Sequence, residues 1–241
     1  MNIGVIFAGG TGSRMGVTSV PKQFLDYGGK PLIIHTLEHF ERHPDIDALT
    51  VAIPQDWEDR FREMIVTFGI SKVRWIVAGG TSGQDSIYRA LRVAHDEIQD
   101  EDVKALVHDG VRPLINDRII SENLDALESA RGAITVFPAV ETVVVSADGD
   151  RVDDILPRSE LFIAQAPQTF WLHELVAAHE SAREKAHDDY IDSCSLMRGE
   201  LDVSASFVIG TRANIKVTTP EDYFMSRALL DLEHFHDVEG I

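Results

Sequence analysis

FAGGTGSRMGVTSVPKQF (residues 7–24) continues the apolar run IGVIF (3–7), so a short strand runs into a turn carrying glycines at 9, 10, 12 and 16. Two fixed cations, Arg14 and Lys22, come soon after. Glycine lets backbone N–H groups approach a bound group closely, and the cations give that group a sign, so the loop reads as a cradle for an anion. Further along, LTVAI (49–53), VRWIV (73–77), VKALV (103–107) and AITVF (133–137) are continuous apolar runs of strand length. Between them Ile33, Leu37 and Phe40 recur at helical spacing, and Ile120, Leu124 and Leu127 repeat it. This alternation predicts an α/β chain, a Rossmann-like mostly parallel sheet with helices on both faces. Ligands of such sheets sit beyond the carboxyl ends of the strands, where both the Gly-rich loop and HDGVRP (108–113) fall.

One segment departs from the alternation. VETVVVSADGDRVDDIL (140–156) reads as two strands joined around Asp148-Gly149, an inserted β-hairpin arm at about 139–165 that either projects or packs on its own sheet edge. A helix is expected from Leu172 to about Ala186, then the polar stretch DDYIDSCSLM (188–197) and a strand in VSASFVI (203–209). Near the end, Thr219 suits an N-cap, Pro220 a first helical turn, and Asp222 the partner in a capping pair. No repeat, linker or low-complexity tract interrupts residues 1–241, which predicts a single domain.

Forty acidic against twenty-two basic side chains leave a net charge of −18, which argues against nucleic acid or an anionic membrane as partner. An anionic small ligand would therefore need its cations gathered in one pocket. The single cysteine, Cys194, excludes an internal disulfide framework and suits a cytoplasmic setting. The N-terminus has no basic leader and no apolar run reaches membrane-spanning length.

The glycine loop is not a P-loop, because no Gly-Lys-Ser/Thr follows at the required spacing. The dinucleotide fingerprint fits Gly10 and Gly12 but places Met15 where its third glycine belongs, which weakens a nicotinamide reading. A strand, four glycines, an arginine and Pro21-Lys22-Gln23 remain as an ordered set for binding a phosphate chain.

AGGTGSRMG with PKQ resembles the signature of sugar-phosphate and alditol-phosphate nucleotidyltransferases. GGTSGQDSI (79–87), VHDGVRP (107–113), PRSELFIAQAPQTF (157–170) and NIKVTTPED (214–222) follow in the order of the cytidylyltransferase branch, which includes ribitol-5-phosphate and 2-C-methyl-D-erythritol 4-phosphate cytidylyltransferases. PKQFLDYGGKPLIIHTLEHF and PRSELFIAQ look closer to the ribitol-specific members, which serve wall and capsule polymers; the others serve isoprenoid synthesis. The resemblance implies CTP and a sugar-alcohol phosphate as substrates, Mg²⁺ as cofactor, and a homodimer joined through the arm. It assigns Ala8, Gly9, Gly10, Thr11, Gly12 and Ser13 to the triphosphate, and Gly80, Asp85 and Ser86 to cytosine and ribose. Arg14 and Lys22 would face the β- and α-phosphates, with Lys216 opposite Lys22. Asp109 and Arg112 would stand beside the acceptor, and Thr142 and Arg158 would reach its phosphate from the partner subunit. No metal ligand is assigned, Asp109 being the sole candidate.

Ala166-Pro167-Gln168 departs from the family's Thr-Pro-Gln, removing a hydroxyl expected near the acceptor phosphate, and Thr169 is too far along to replace it. Lys216 is expected in a short apolar strand. Asp85-Ser86 reads equally as an N-cap for a helix from Ile87. His108 is expected to pack away from Asp109. His35, His39 and His43 fall on one helical stripe and are read as solvated surface. Two other functions fit less well: a silent nucleotide sensor, which would have no need of Arg14, Lys22 and Lys216, and an NAD-dependent dehydrogenase.

Overall fold

The computed structural model describes residues 1–9, 20–98, 100–187 and 189–239, with side chains of the last helix to residue 232. Seven strands make one sheet. Across it lie Val73–Ala78 (β3), Ala48–Ile53 (β2), Asn2–Phe7 (β1), Lys104–Asp109 (β4), Phe162–Trp171 (β8), Gly132–Pro138 (β5) and Ser206–Ile209 (β9). All run parallel except β8, which is antiparallel to both neighbours, β4 and β5.

The continuous apolar runs exist because both faces of the sheet are covered. On one face, Ile3 and Val5 of β1 and Ala105 and Val107 of β4 pack against Gly83–Glu97 (α3), Leu172–Glu184 (α5) and Ser193–Leu201 (α6). The alternate residues Ile6, Leu49, Val51 and Leu106 face Leu32–Arg42 (α1), Glu58–Thr67 (α2) and Asp117–Ala126 (α4). Ile33, Leu37 and Phe40, the predicted stripe, are the buried face of α1. Phe40 and Phe61 are wholly buried there, each contributing about 2 kcal/mol by leaving water.

The apolar pattern of the sequence does not mark β8 as a strand. Its sequence carries Gln165, Pro167 and Gln168 in place of an apolar run, and Pro167 has no N–H to give the ladder. The pairing of β5 with β8 is accordingly irregular between Ile134 and Val136. A buried polar relay bridges the gap: Thr135 Oγ1 donates to Pro167 O (2.8 Å), Asn123 Nδ2 to Thr135 Oγ1 (2.9 Å), and Thr169 Oγ1 to Asn123 Oδ1 (3.1 Å). Thr169 is committed to this relay.

The stretch read as simply polar, DDYIDSCSLM, contains the start of α6. Asp192 caps it through a reciprocal box with Ser195: Ser195 N donates to Asp192 Oδ1 (2.7 Å) and Asp192 N to Ser195 Oγ (3.1 Å). The C-terminal helix Pro220–Glu239 (α7) starts as expected, with Asp222 N donating to Thr219 Oγ1 and the Asp222 carboxylate accepting from Thr218 and Thr219.

Between β5 and β8 the chain leaves the body. Val144–Val145 (β6) and Asp154–Ile155 (β7) pair as a short antiparallel hairpin, and Asp148 Oδ1 accepts from the N–H groups of Asp150 and Arg151 to close its tip. Gly149 there has φ +75°, a conformation that side chains resist. The hairpin is exposed throughout, including Val143, Val144, Val145, Val152 and Ile155, so it projects rather than packing on its own domain.

The histidine stripe is a correction. His35 and His43 are buried, and His39 Nε2 faces Pro113 O at 3.2 Å while His43 Nε2 meets Ser121 Oγ at 3.0 Å. Helix α1 is covered on its outer side by α4 and the segment after β4, so His35 and His43 are buried and His39 is only partly exposed.

Candidate active site

Three parallel strands deliver their loops to one spot. In register, Phe7 of β1 stands beside Asp109 of β4 and Ala52 of β2. Ala8 N donates to Ala52 O and Gly110 N to Phe7 O, so the first turn after β1 is fixed from both sides. The loop after β3 closes on it: a Cβ at Gly79 would come within 2.6 Å of Gly9 Cα, and one at Gly9 within 2.9 Å of Gly79 Cα. Only glycine at both positions permits this backbone contact. At Gly80 an added Cβ would run into the Asp85 carboxylate.

A cavity of about 370 Å³ opens here, lined among others by Ala8, Gly9, Lys22, Gly80, Ser86, Asp109 and Lys216. Lys22 opens the short 3₁₀ turn Lys22–Phe24, and the next residue, Gln23, is buried with its amide donating to Ala8 O. The sequence therefore places a lysine at the cavity by anchoring the residue beside it. Gly10, Thr11, Gly12, Ser13 and Arg14 lie outside the described residues.

Lys216 is not in a strand, contrary to expectation. Its segment is an extended loop pinned to the loop after β4: Val217 N donates to Val111 O (2.9 Å), Arg112 Nη1 to Asn214 O (2.7 Å), and Asn214 Nδ2 to Ala166 O (2.7 Å). A lysine there is half-exposed and its ammonium meets a carboxylate, Asp109 Oδ1, at 2.6 Å. The other oxygen of Asp109 accepts from Arg112 Nε at 2.8 Å. Burial by itself would raise the Asp109 pKa. Arg112 foremost, then Lys216, outweigh it and hold the carboxyl well below the ordinary carboxylate range. His108, on the opposite face of β4, is wholly buried, and that burial pushes it down to about 3, so it is a neutral packing group against Phe40.

Ser86 and Asp85 divide. Ser86 lines the cavity, its Oγ accepting from Gly80 N (2.9 Å) and donating to Ser82 O (2.9 Å). Asp85 does not line it: its carboxylate accepts from Thr81 N and pairs with Arg89 and Arg183 at 3.0 Å each. The N-cap of α3 is Ser82, three residues earlier than Asp85, whose N–H it accepts. Asp85 therefore shapes the Thr81 turn from outside the cavity.

A second cavity of about 280 Å³ adjoins the first and shares Phe7, Asp109 and Lys216 with it. Arg112, Gln165, Ala166, Gln168 and Asp192 are among its walls. Thr142 and Arg158 line neither cavity; Thr142 is exposed on the arm and Arg158 opens a 3₁₀ turn at its base, donating to Val140 O.

A profile of the IspD family, 2-C-methyl-D-erythritol 4-phosphate cytidylyltransferase, matches residues 3–232. The chain belongs to this cytidylyltransferase family. It is 43 % identical over 240 residues to a protein named ribitol-5-phosphate cytidylyltransferase of Vibrio parahaemolyticus serotype O3:K6, covering all of both chains. A relative of the same name from Streptococcus agalactiae serotype V is 41 % identical over 241 residues, again with full coverage of both. Among solved structures, the 4-diphosphocytidyl-2C-methyl-D-erythritol synthase of Anaerococcus prevotii superposes with a TM-score of 0.81 at 26 % identity, over 95 % of this chain and 96 % of that one.

Family membership makes the chain a nucleotidyltransferase and accounts for the sheet with its short antiparallel hairpin. Among the described residues of this cytidylyltransferase, no group of three or more His, Cys, Asp or Glu is set to hold a metal ion. Asp109 is the carboxylate lining the first cavity, and both its oxygens already face cations. No helix among the described residues is long and apolar enough to cross a membrane.

Proposed function

We propose that this cytidylyltransferase transfers CMP from CTP to D-ribitol 5-phosphate, forming CDP-ribitol and releasing pyrophosphate. The observation that carries the acceptor is the full-length likeness, at 41–43 % identity, to relatives named ribitol-5-phosphate cytidylyltransferase. CTP fits the first cavity, where the closely packed backbone of Gly9 and Gly79 meets Lys22 and Lys216. By the family resemblance the loop Gly10–Ser13 would wrap the triphosphate, with Arg14 at its β-phosphate.

In the reaction, a phosphate oxygen of the acceptor attacks the α-phosphorus of CTP. That P–O bond forms as the bond from the α-phosphorus to the bridging oxygen breaks, and its electron pair leaves with pyrophosphate. The attacking oxygen is already ionised at neutral pH, so no strong general base is needed. Lys22 and Lys216 neutralise charge on the α-phosphate oxygens, and preorganised cations are worth most where water is excluded. Asp109, fixed by Arg112, keeps Lys216 at the boundary between the two cavities.

Mg²⁺, when bound, shields the triphosphate and polarises the α-phosphate. Among the described residues Asp109 is the one carboxylate lining the first cavity, so Mg²⁺ would be held chiefly by phosphate oxygens, with Asp109 the protein candidate. The exposed arm supports a homodimer in which Thr142 and Arg158 reach the acceptor phosphate of the neighbouring subunit, since an arginine fork matches phosphate oxygens. The reaction belongs in the cytoplasm, where CTP is made.

Pyrophosphate release measured with CTP, Mg²⁺ and D-ribitol 5-phosphate tests the reading. Release that requires the acceptor and is lost with UTP supports it; release indifferent to the acceptor contradicts it.

A further inference from the structure

The second cavity contains two polar side chains that the reaction as described does not use. Most of its polar wall is internally satisfied. Gln168 donates from Nε2 to Asp192 Oδ2 (2.9 Å) and accepts at Oε1 from Cys194 N (2.9 Å), while Gln165 Nε2 donates to Thr211 O (2.9 Å). Asp192 is spent on capping α6, and Asp109 on its two cations. Ser193 and Gln84 differ. Ser193, the first residue of α6, is only 2 % exposed, yet its Oγ has no hydrogen-bond partner among the described residues. Gln84, in the first turn of α3, is only partly buried, but its Oε1 likewise has no hydrogen-bond partner among the described residues. Both line this cavity.

Buried polar atoms are nearly always paired, so two unpaired ones on one cavity point to a ligand that pairs them. We propose that Ser193 and Gln84 read hydroxyl groups on the carbon chain of the polyol phosphate acceptor. The inference rests on the acceptor reading above and adds the residues that recognise the acceptor's chain. A serine hydroxyl turns about χ1 to face the cavity, and a hydroxyl or an amide each donates and accepts, matching an alcohol that does both. Ile87, Val107 and Ala166 form apolar wall beside them, where an unmatched alcohol would stay without a partner. Recognition is thus placed at the chain of the acceptor, away from the phosphate that all acceptors of the family share.

The test compares wild type, Ser193→Ala, Ser193→Thr and Gln84→Met for kcat and KM with D-ribitol 5-phosphate and a set of monodeoxy analogues. Each deletion should raise the acceptor KM roughly fivefold and leave the CTP KM unchanged. Ser193→Thr should restore it. One monodeoxy analogue, poor for wild type, should be used by Ser193→Ala as well as ribitol 5-phosphate is. Because the lost hydroxyl was unbonded in the protein, Tm of Ser193→Ala should not fall. Acceptor KM values within twofold of wild type in both variants overturn the inference while the acceptor reading stands. A fall in Tm matching the loss of activity overturns it in favour of a structural role. No turnover of ribitol 5-phosphate by wild type overturns both.

Discussion

Lys216 Nζ stands 2.6 Å from Asp109 Oδ1, while Arg112 Nε holds the other oxygen of the same carboxylate at 2.8 Å. One buried anion thus sits between two cations contributed by loops a hundred residues apart. Removing Asp109 leaves Arg112 buried without its counter-charge, which costs more than the pair itself is worth. Asp109→Asn should lower stability by about 3 kcal/mol and lower kcat as Lys216 loses its fixed position. Urea unfolding and steady-state kinetics on one preparation check both; an unchanged midpoint would show that the carboxylate is not needed to hold the loops together.

Lys216→Ala should behave differently, because its side chain is half-exposed and Arg112 still pairs with Asp109. Turnover should drop by about 10²-fold or more, the scale for removing one preorganised transition-state donor, with CTP binding weakened far less. Isothermal titration beside kcat separates the two effects. Normal turnover would remove Lys216 from the α-phosphate.

Gly79→Ala forces a methyl against the Cα of Gly9. Backbone cannot yield as a flexible side chain does, so the two loops must part. The expected result is a KM for CTP raised more than tenfold together with a lower Tm, read by kinetics and thermal melting.

Three histidines, His39, His108 and His179, give the protein an acid-side weakness. Burial, the leading cause in each, lowers His39 and His179 to about 4 and His108 to about 3. Their unfolded value is about 6.5, so between there and the folded values the unfolded chain binds more protons and stability falls with falling pH. The slope is about 1.4 kcal/mol per pH unit for each group. Tm should hold steady above pH 7 and decline from about pH 6.5 towards 4. His179 Nε2 has no partner among the described residues, so His179→Leu should make that decline shallower; an identical decline would contradict the assignment.

Mixing tests the arm. If Arg158 acts across the dimer and Lys216 within its own chain, equal amounts of Arg158→Ala and Lys216→Ala chains, unfolded and refolded together, regain about a quarter of wild-type activity through one intact site per mixed dimer. No recovery would place both residues in the same chain's site.

The parallel strands and the stripe of α1 were legible because covering a sheet on both faces leaves runs such as IGVIF and LTVAI. The meeting of Ala8, Gly9, Lys22, Gly80 and Asp109 was legible for a related reason, since each lies just past a strand's carboxyl end or in the first loop. β8 was hidden by its own chemistry: Gln165 and Gln168 are buried but hydrogen-bonded, and Pro167 is tolerated where the ladder is irregular. Periodicity counts apolar residues and misses such strands. Helix α6 was signalled by Asp192 and Ser195, a capping box obscured by the polar run around it. His35, His39 and His43 misled because spacing shows which residues share a face, and only the tertiary structure shows that α4 covers it. Asp85, next in sequence to a cavity residue, points away because the first turn of a helix sends neighbouring side chains in different directions.

Both acceptors in one vessel give the most direct measurement. With CTP and Mg²⁺, D-ribitol 5-phosphate and 2-C-methyl-D-erythritol 4-phosphate are supplied at equal concentration and the cytidylylated products are resolved by mass spectrometry. CDP-ribitol as the dominant product is the predicted result. Predominance of 4-diphosphocytidyl-2-C-methyl-D-erythritol would contradict it.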